Sequence, residues 1–242
     1  MTQRNDTARM KAILTLTGAL AFLLFSAAAP PFTGYTAEQL PQAIGRPPVQ
    51  PAGYAFGIWG VIYPWLVISA GFGLFRRADD MAWDRARWPL IIALGLGAGW
   101  LWVAVTDAIL ATVMIFAMLA AALFALARAP QGAGRADLWL ARAPIGLFAG
   151  WLTAASFVSM GLVLGGFGLL PSGRAAAFVA IPLAAVVAAT VILRLRGGGA
   201  YAFAVAWGLV GIAVANFGTE GDIAVLALAG ALLLAALWWR VR

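Results

Sequence analysis

The chain has 242 residues, of which 64% are hydrophobic and 10% charged, and it carries a formal net charge of +7. A soluble domain carries about 25% charged residues, so this composition cannot cover a water-facing globule and points to lipid as the solvent. The chain has no His and no Cys, which excludes disulfides, thiolate or imidazole metal ligation and every His-based triad. The only lysine, Lys11, lies near the N-terminus, so no mid-membrane lysine is available for a retinal-type Schiff base.

A spanning helix needs about 20 mostly apolar residues. Hydropathy predicts an all-α fold, a polytopic membrane bundle of eight transmembrane helices at 11–29, 53–75, 88–106, 108–127, 143–165, 174–195, 200–217 and 221–239. Residues 1–29 also fit a signal peptide, with a basic start, an apolar stretch from Ile13 to Phe25 and a small-residue end at Ser26-Ala27-Ala28-Ala29. The run is long enough to span, so it is read as the first helix; cleavage would leave seven helices. Segment 30–52 follows, with Pro30, Pro31, Pro41, Pro47, Pro48 and Pro51. Proline fixes φ and lacks an N–H, so this loop is stiff. Its Thr36-Ala37-Glu38-Gln39 has the capping-box pattern, which predicts a short helix near 37–44. Ordered loops this long are often lids or binding elements. Further on, the apolar run 88–127 is broken only by Thr106-Asp107; unbroken it would be about 60 Å long, twice the hydrocarbon thickness, so a hairpin is expected there.

Charge supports this division. With the N-terminus inside, the inner segments hold Arg4, Arg9 and Lys11; Arg76, Arg77, Arg85 and Arg87; Arg128, Arg135 and Arg142; Arg194 and Arg196; Arg240 and Arg242, leaving only Arg46 and Arg174 outside. This is the asymmetry expected of cytoplasmic loops. It places both termini in the cytoplasm of an integral, multi-pass protein, with a bacterial inner membrane the expected location. The basic surplus is therefore topological; no basic face or motif indicates nucleic acid.

No ionisable side chain falls near the midplane, so the sequence offers no central proton relay, no catalytic acid–base pair and no metal site. Asp107, Glu220 and Asp222 read as turn acids. Trp83, Trp88, Trp139, Trp238 and Trp239 fall at the inner boundary, where an aromatic belt is normal. Trp59, Trp65, Trp100, Trp102, Trp151 and Trp207 lie deeper and are expected to face neighbouring helices or a cavity. Phe56, Trp59 and Tyr63 share one helix face, a pattern that fits a packing seam equally well. Gly95/Gly99 and Gly161/Gly165 fit close helix packing, with homodimerisation through the third span the weaker reading. Thr153, Ser156 and Ser159 are expected to bond back to their own helix.

The stretch Pro51-Ala52-Gly53-Tyr54-Ala55-Phe56-Gly57-Ile58-Trp59-Gly60-Val61-Ile62-Tyr63 resembles the helix 2 signature of the TspO/MBR-related family, the tryptophan-rich sensory proteins and relatives of the mitochondrial translocator protein. Pro51, Trp59 and Tyr63 keep the family spacing, and Phe56 is displaced by one position. A longer branch of that family is closer, with stretches similar to 144–155 and 201–212. The resemblance implies a five-helix unit, residues 1–170, with a three-helix extension, 171–242, in the same bundle. It also implies a non-enzymatic receptor or carrier for a hydrophobic, porphyrin-like tetrapyrrole held under the first loop, by Pro51, Phe56, Trp59 and Tyr63, with Trp100 and Trp151. The family's Asn beside the helix 3 Trp is absent, since Gly97, Ala98 and Gly99 precede Trp100. The alternatives are a small-solute transporter and a non-catalytic assembly or regulatory subunit. Membrane lipid and a hydrophobic small molecule are the expected partners.

Overall fold

The computed structural model describes residues 2–32, 34–36, 38–42, 45–131, 134–194 and 198–242, the side chains of residues 2–5 excepted. The helices are α1 (Thr2–Ala28), α2 (Trp59–Arg76), α3 (Met81–Ala104), α4 (Ala108–Arg128), α5 (Ala143–Gly166), α6 (Gly173–Arg194), α7 (Gly199–Asn216) and α8 (Gly221–Val241). Among the described residues there are eight helices long and apolar enough to cross a membrane and no strand. Two spans begin with irregular turns: a 3₁₀ turn, Gly53–Ile58, leads into α2, and a π turn, Leu138–Arg142, leads into α5.

The expected boundaries need three corrections. α3 starts at Met81 rather than 88, because the Asp80 carboxylate caps it, accepting the N–H groups of Ala82 (2.8 Å) and Trp83 (3.4 Å). The helical path into α5 runs back to Arg135 rather than 143. Part of the short helix expected at 37–44 lies outside the described residues, and residues 38–42 form turns. One half of the anticipated cap does form there, the Thr36 N–H donating to Gln39 Oε1 at 3.0 Å.

α1 packs on α2 and α3, α3 on α4, α4 on α5, and α5 on α2, so these helices close a ring in the order α1–α2–α5–α4–α3. α5 also packs on α6 and α7, and α8 lies against both of those. α5 is therefore the wall between two helix groups, and 72% of its apolar window is buried against 22–56% for the other spans. Small residues permit this. A Cβ on Gly150 would lie 2.3 Å from the Tyr201 carbonyl oxygen of α7. Opposite it, Tyr201 is fully buried, its hydroxyl 2.9 Å from Thr153 Oγ1.

At the end of the bundle that carries both termini, Arg87 is only 4% exposed. Its guanidinium donates to the carbonyls of Ala8 (2.9 Å), Ala78 (2.7 Å), Gly73 (3.3 Å) and Arg77 (2.7 Å), and to Asp84 (3.3 Å), which also pairs with Lys11 at 2.7 Å. One side chain thus caps the C-terminal end of α2 and ties it to α1. Arg87→Ala is expected to cost roughly 3 kcal/mol, since the carbonyls and Asp84 lose their donor together. Arg87→Lys should recover part of this, a point charge being unable to replace the planar fork. Thermal unfolding in detergent, with both variants beside the parent, measures it.

An aromatic cavity beneath the first loop

Inside the ring lies a cavity of about 180 Å³. α1 supplies Phe22 and Ser26; α2 and its opening turn supply Phe56, Trp59 and Tyr63; α3 supplies Trp100 and Leu101. α4 adds Ile115 and Met118, α5 adds Trp151, Leu152 and Ala155, and Pro30, Pro31 and Phe32 of the loop form the cover. A smaller neighbouring cavity of about 50 Å³ shares Phe32, Phe56, Trp100 and Trp151 with it and is also lined by Tyr35, Gln50 and Pro51. All six residues singled out from sequence therefore line one or other of these two neighbouring cavities, five the larger and Pro51 the smaller.

The rings form a connected set. Trp59 stacks on Tyr63 at 4.9 Å with 15° between planes. Phe22 meets both edge-on, at 5.7 and 4.8 Å, and Trp151 meets Trp59 and Phe56 edge-on at 6.2 and 6.0 Å. Phe32 of the loop sits edge-on to Trp100 at 5.4 Å. Edge-to-face and offset contacts are the favoured arrangements for aromatic quadrupoles. The Trp100 indole donates to the Ala111 carbonyl at 2.8 Å. The Trp151 indole N–H, on a side chain 2% exposed, has no acceptor among the described residues. A buried donor left unmatched is costly. Phe22 has no sequence signal, being one phenylalanine in an apolar helix; only the ring closure brings it to Trp59.

A hydroxyl cluster lies beneath the loop. Ser159 Oγ lies 2.6 Å from the Tyr35 hydroxyl and 2.7 Å from Thr112 Oγ1. Burial holds the Tyr35 phenol above its ordinary pKa, against the opposing hydrogen bonds with Ser159 and Thr112, so it stays protonated near neutral pH. Of the α5 hydroxyls expected to bond back, only Thr153 does, to the Ala149 carbonyl at 2.9 Å; Ser156 donates to Ile115 of α4 at 3.3 Å, and Ser159 joins this cluster.

The loop is tied across the end of the bundle. Gln39 Nε2 donates to the Ala104 carbonyl at 2.8 Å, and the Gln42 N–H to Gly166 at 2.9 Å. The Ala52 N–H donates to Gly211 at 2.9 Å, and Asn216 Nδ2 to Pro48 at 2.8 Å, both across to α7. Arg46 donates to the carbonyls of Ala215 (3.3 Å), Gln50 (3.1 Å) and Pro51 (2.8 Å). Gly211 allows the contact, because a Cβ there would lie 2.8 Å from that of Ala55.

Trp83 is buried, not part of a lipid belt, and donates to Asp137 at 2.8 Å; Trp102 is 45% exposed and faces outward. Trp207 donates to the Ala55 carbonyl at 2.9 Å. Asp107 caps α4 through the Leu110 N–H at 2.9 Å. Glu220 and Asp222 are more than turn acids, since both pair with Arg174. Gly161 packs against Val49 and Ala180, and Gly165 against Gly173, whereas Gly95 and Gly99 meet no neighbour; Gly97 between them faces the Phe22 ring.

Fold and site together define a multi-pass helical membrane protein with an aromatic chamber covered by Pro30, Pro31 and Phe32. The family model for TSPO-like proteins matches residues 10–239, and the chain belongs to that family. The match runs through α8, so the last three helices are part of the family pattern. No curated protein and no solved structure matches the chain.

Proposed function

We propose that this protein is a non-enzymatic membrane receptor or carrier for a hydrophobic, flat, tetrapyrrole-like ligand, held by the aromatic chamber under residues 30–52. The observation that carries this reading is the stacked and edge-on ring set of Trp59, Tyr63, Phe22 and Trp151 around one void. The walls supply stacking and apolar burial. The chamber, about 180 Å³, is below the roughly 300–1,000 Å³ of ligand pockets, so a macrocycle enters with Phe32 and the loop displaced. With no His or Cys in the chain, a porphyrin is held chiefly by its ring, Tyr63 and Met118 being chamber side chains of a type that can ligate its metal. The five-helix ring, residues 1–170, would carry the ligand and residues 171–242 would hold the loop. The charge asymmetry supports a bacterial inner membrane with both termini cytoplasmic.

The test is titration of the detergent-purified full chain with protoporphyrin, followed by tryptophan fluorescence. Saturable quenching is expected, and Trp59→Ala should weaken binding by about tenfold or more, the loss typical of a buried aromatic anchor. Quenching that never saturates, or saturates identically in Trp59→Ala, overturns the assignment.

A further inference from the structure

A second and larger cavity, about 480 Å³, lies outside the ring. Its origin is the divergence of two helices. The 3₁₀ turn before α2 is fastened to α7, the Trp207 indole donating to the Ala55 carbonyl and the Ala52 N–H to that of Gly211, both at 2.9 Å. Beyond the turn α2 packs on α1, α5 and the π turn but makes little contact with α7, so a wedge opens between them. Gly146 of α5 and Gly198 and Gly199 at the start of α7 line the wedge and have no side chain to fill it. Its rim includes Val61, Trp139 and Phe203, each more than half exposed on the surface that a spanning bundle turns to lipid.

The wall chemistry limits what the wedge can hold. Its buried floor includes Ile58, Leu147 and Tyr201, at 5%, 4% and 0% exposure. The Tyr201 hydroxyl is paired with Thr153 at 2.9 Å, and the Trp65 indole N–H is taken by the Trp139 carbonyl at 2.9 Å. Arg142, the one charged lining residue, is buried and already engaged within the protein, so it does not stand as a counter-ion for a ligand. A charged or strongly hydrogen-bonding molecule would give up its hydration here with little in return. A flat π-system, in contrast, meets aromatic faces: Trp65 and Trp139 lie 6.1 Å apart with 22° between planes, and Trp238 and Phe203 complete the aromatic wall. The volume falls within the roughly 300–1,000 Å³ of small-molecule pockets. At roughly 30 Å³ for a water-sized group it has room for about sixteen such groups, the size of a small polycyclic or polyene hydrocarbon and short of a tetrapyrrole.

We propose that the wedge is a second binding site, for an uncharged, flat, apolar molecule that enters from the bilayer. The proposal does not depend on the aromatic chamber. The test is photolabelling of the full chain in phosphatidylcholine nanodiscs with a neutral aryl diazirine, the adducts being mapped by peptide mass spectrometry. Adducts should appear at Trp65, Leu147 and Phe203, and unlabelled pyrene at about ten times its Kd should suppress them about tenfold, as mass action at one site requires. Adducts at Val113 and Leu232, exposed on the lipid face, should fall little. Pyrenebutyrate should compete roughly tenfold more weakly than pyrene, its carboxylate being costly to bury. Val61→Trp, which narrows the rim, should reduce the wedge adducts, and Trp59→Ala should leave them unchanged. Absence of wedge adducts, the result if a lipid chain fills the space, overturns the proposal. So does suppression by pyrene no greater than at Val113 and Leu232, or competition by pyrenebutyrate equal to that of pyrene. Wedge labelling unaltered in Val61→Trp also overturns it; Val61 is half exposed, so that variant tests the rim without disturbing the core.

Discussion

Replacing Gly150 with alanine is expected to destabilise the bundle by roughly 3 kcal/mol, at the upper end of overpacking costs. The added methyl would lie 2.3 Å from the Tyr201 carbonyl oxygen and 2.9 Å from Ala204 Cβ. The first obstacle is backbone, so α5 and α7 must separate rather than repack. Separation opens the site of Tyr201, the largest fully buried side chain, and strains its bond to Thr153. Ala204→Gly in the Gly150→Ala background should restore only a small part, because the carbonyl obstacle remains. Thermal unfolding of the purified variants reads this directly. A shift no larger than that of a lipid-facing control such as Gly60→Ala, where nothing lies within 4 Å, would mean that the helices are not held at this separation.

The second large effect concerns the loop. Asn216 is 3% exposed and donates from Nδ2 to Pro48 and, one turn back, to Ile212, both at 2.8 Å. Asn216→Ala leaves the Pro48 carbonyl without that donor, at a cost of about 1.5 kcal/mol. That cost falls on the closed position of the loop, so local opening should rise roughly tenfold. Amide exchange at Gln42 and Ala52, whose N–H groups bond to Gly166 and Gly211, should accelerate by that factor while global unfolding changes little. Porphyrin release, if the proposed function holds, should accelerate in parallel. Arg46→Ala should have a smaller effect, because that side chain is exposed and its three acceptors can turn to water. Exchange unchanged in Asn216→Ala would show that α7 does not secure the loop.

The number of spans was readable because lipid imposes one long apolar run per helix and basic residues mark the turns. Its failures have the same origin. Asp84, Arg85 and Arg87 made the start of α3 look like loop, although in the structure Arg87 spends its charge on carbonyls of α2. Asp80 was the available signal, a capping residue before the first turn. The Trp59–Tyr63 face was legible as i, i+4 neighbours, and the family pattern singled it out. Phe22 was not legible, since nothing local distinguishes it, and its position at Trp59 follows from α1 closing on α2. Trp102 misled because depth along a helix says nothing of azimuth. The bond from Asn216 to Pro48 joins residues 168 apart, and no pattern along the chain announces such a partner.

That separation also sets an order of events during synthesis. Residues 30–52 leave the ribosome early, when only α1 precedes them, yet their acceptors and donors at Gly166, Gly211 and Asn216 belong to segments made much later. The wall of the ring is likewise missing until α5 inserts. A nascent chain halted before α7 would thus have every aromatic side chain of the chamber in place and no fastening from that helix for its roof.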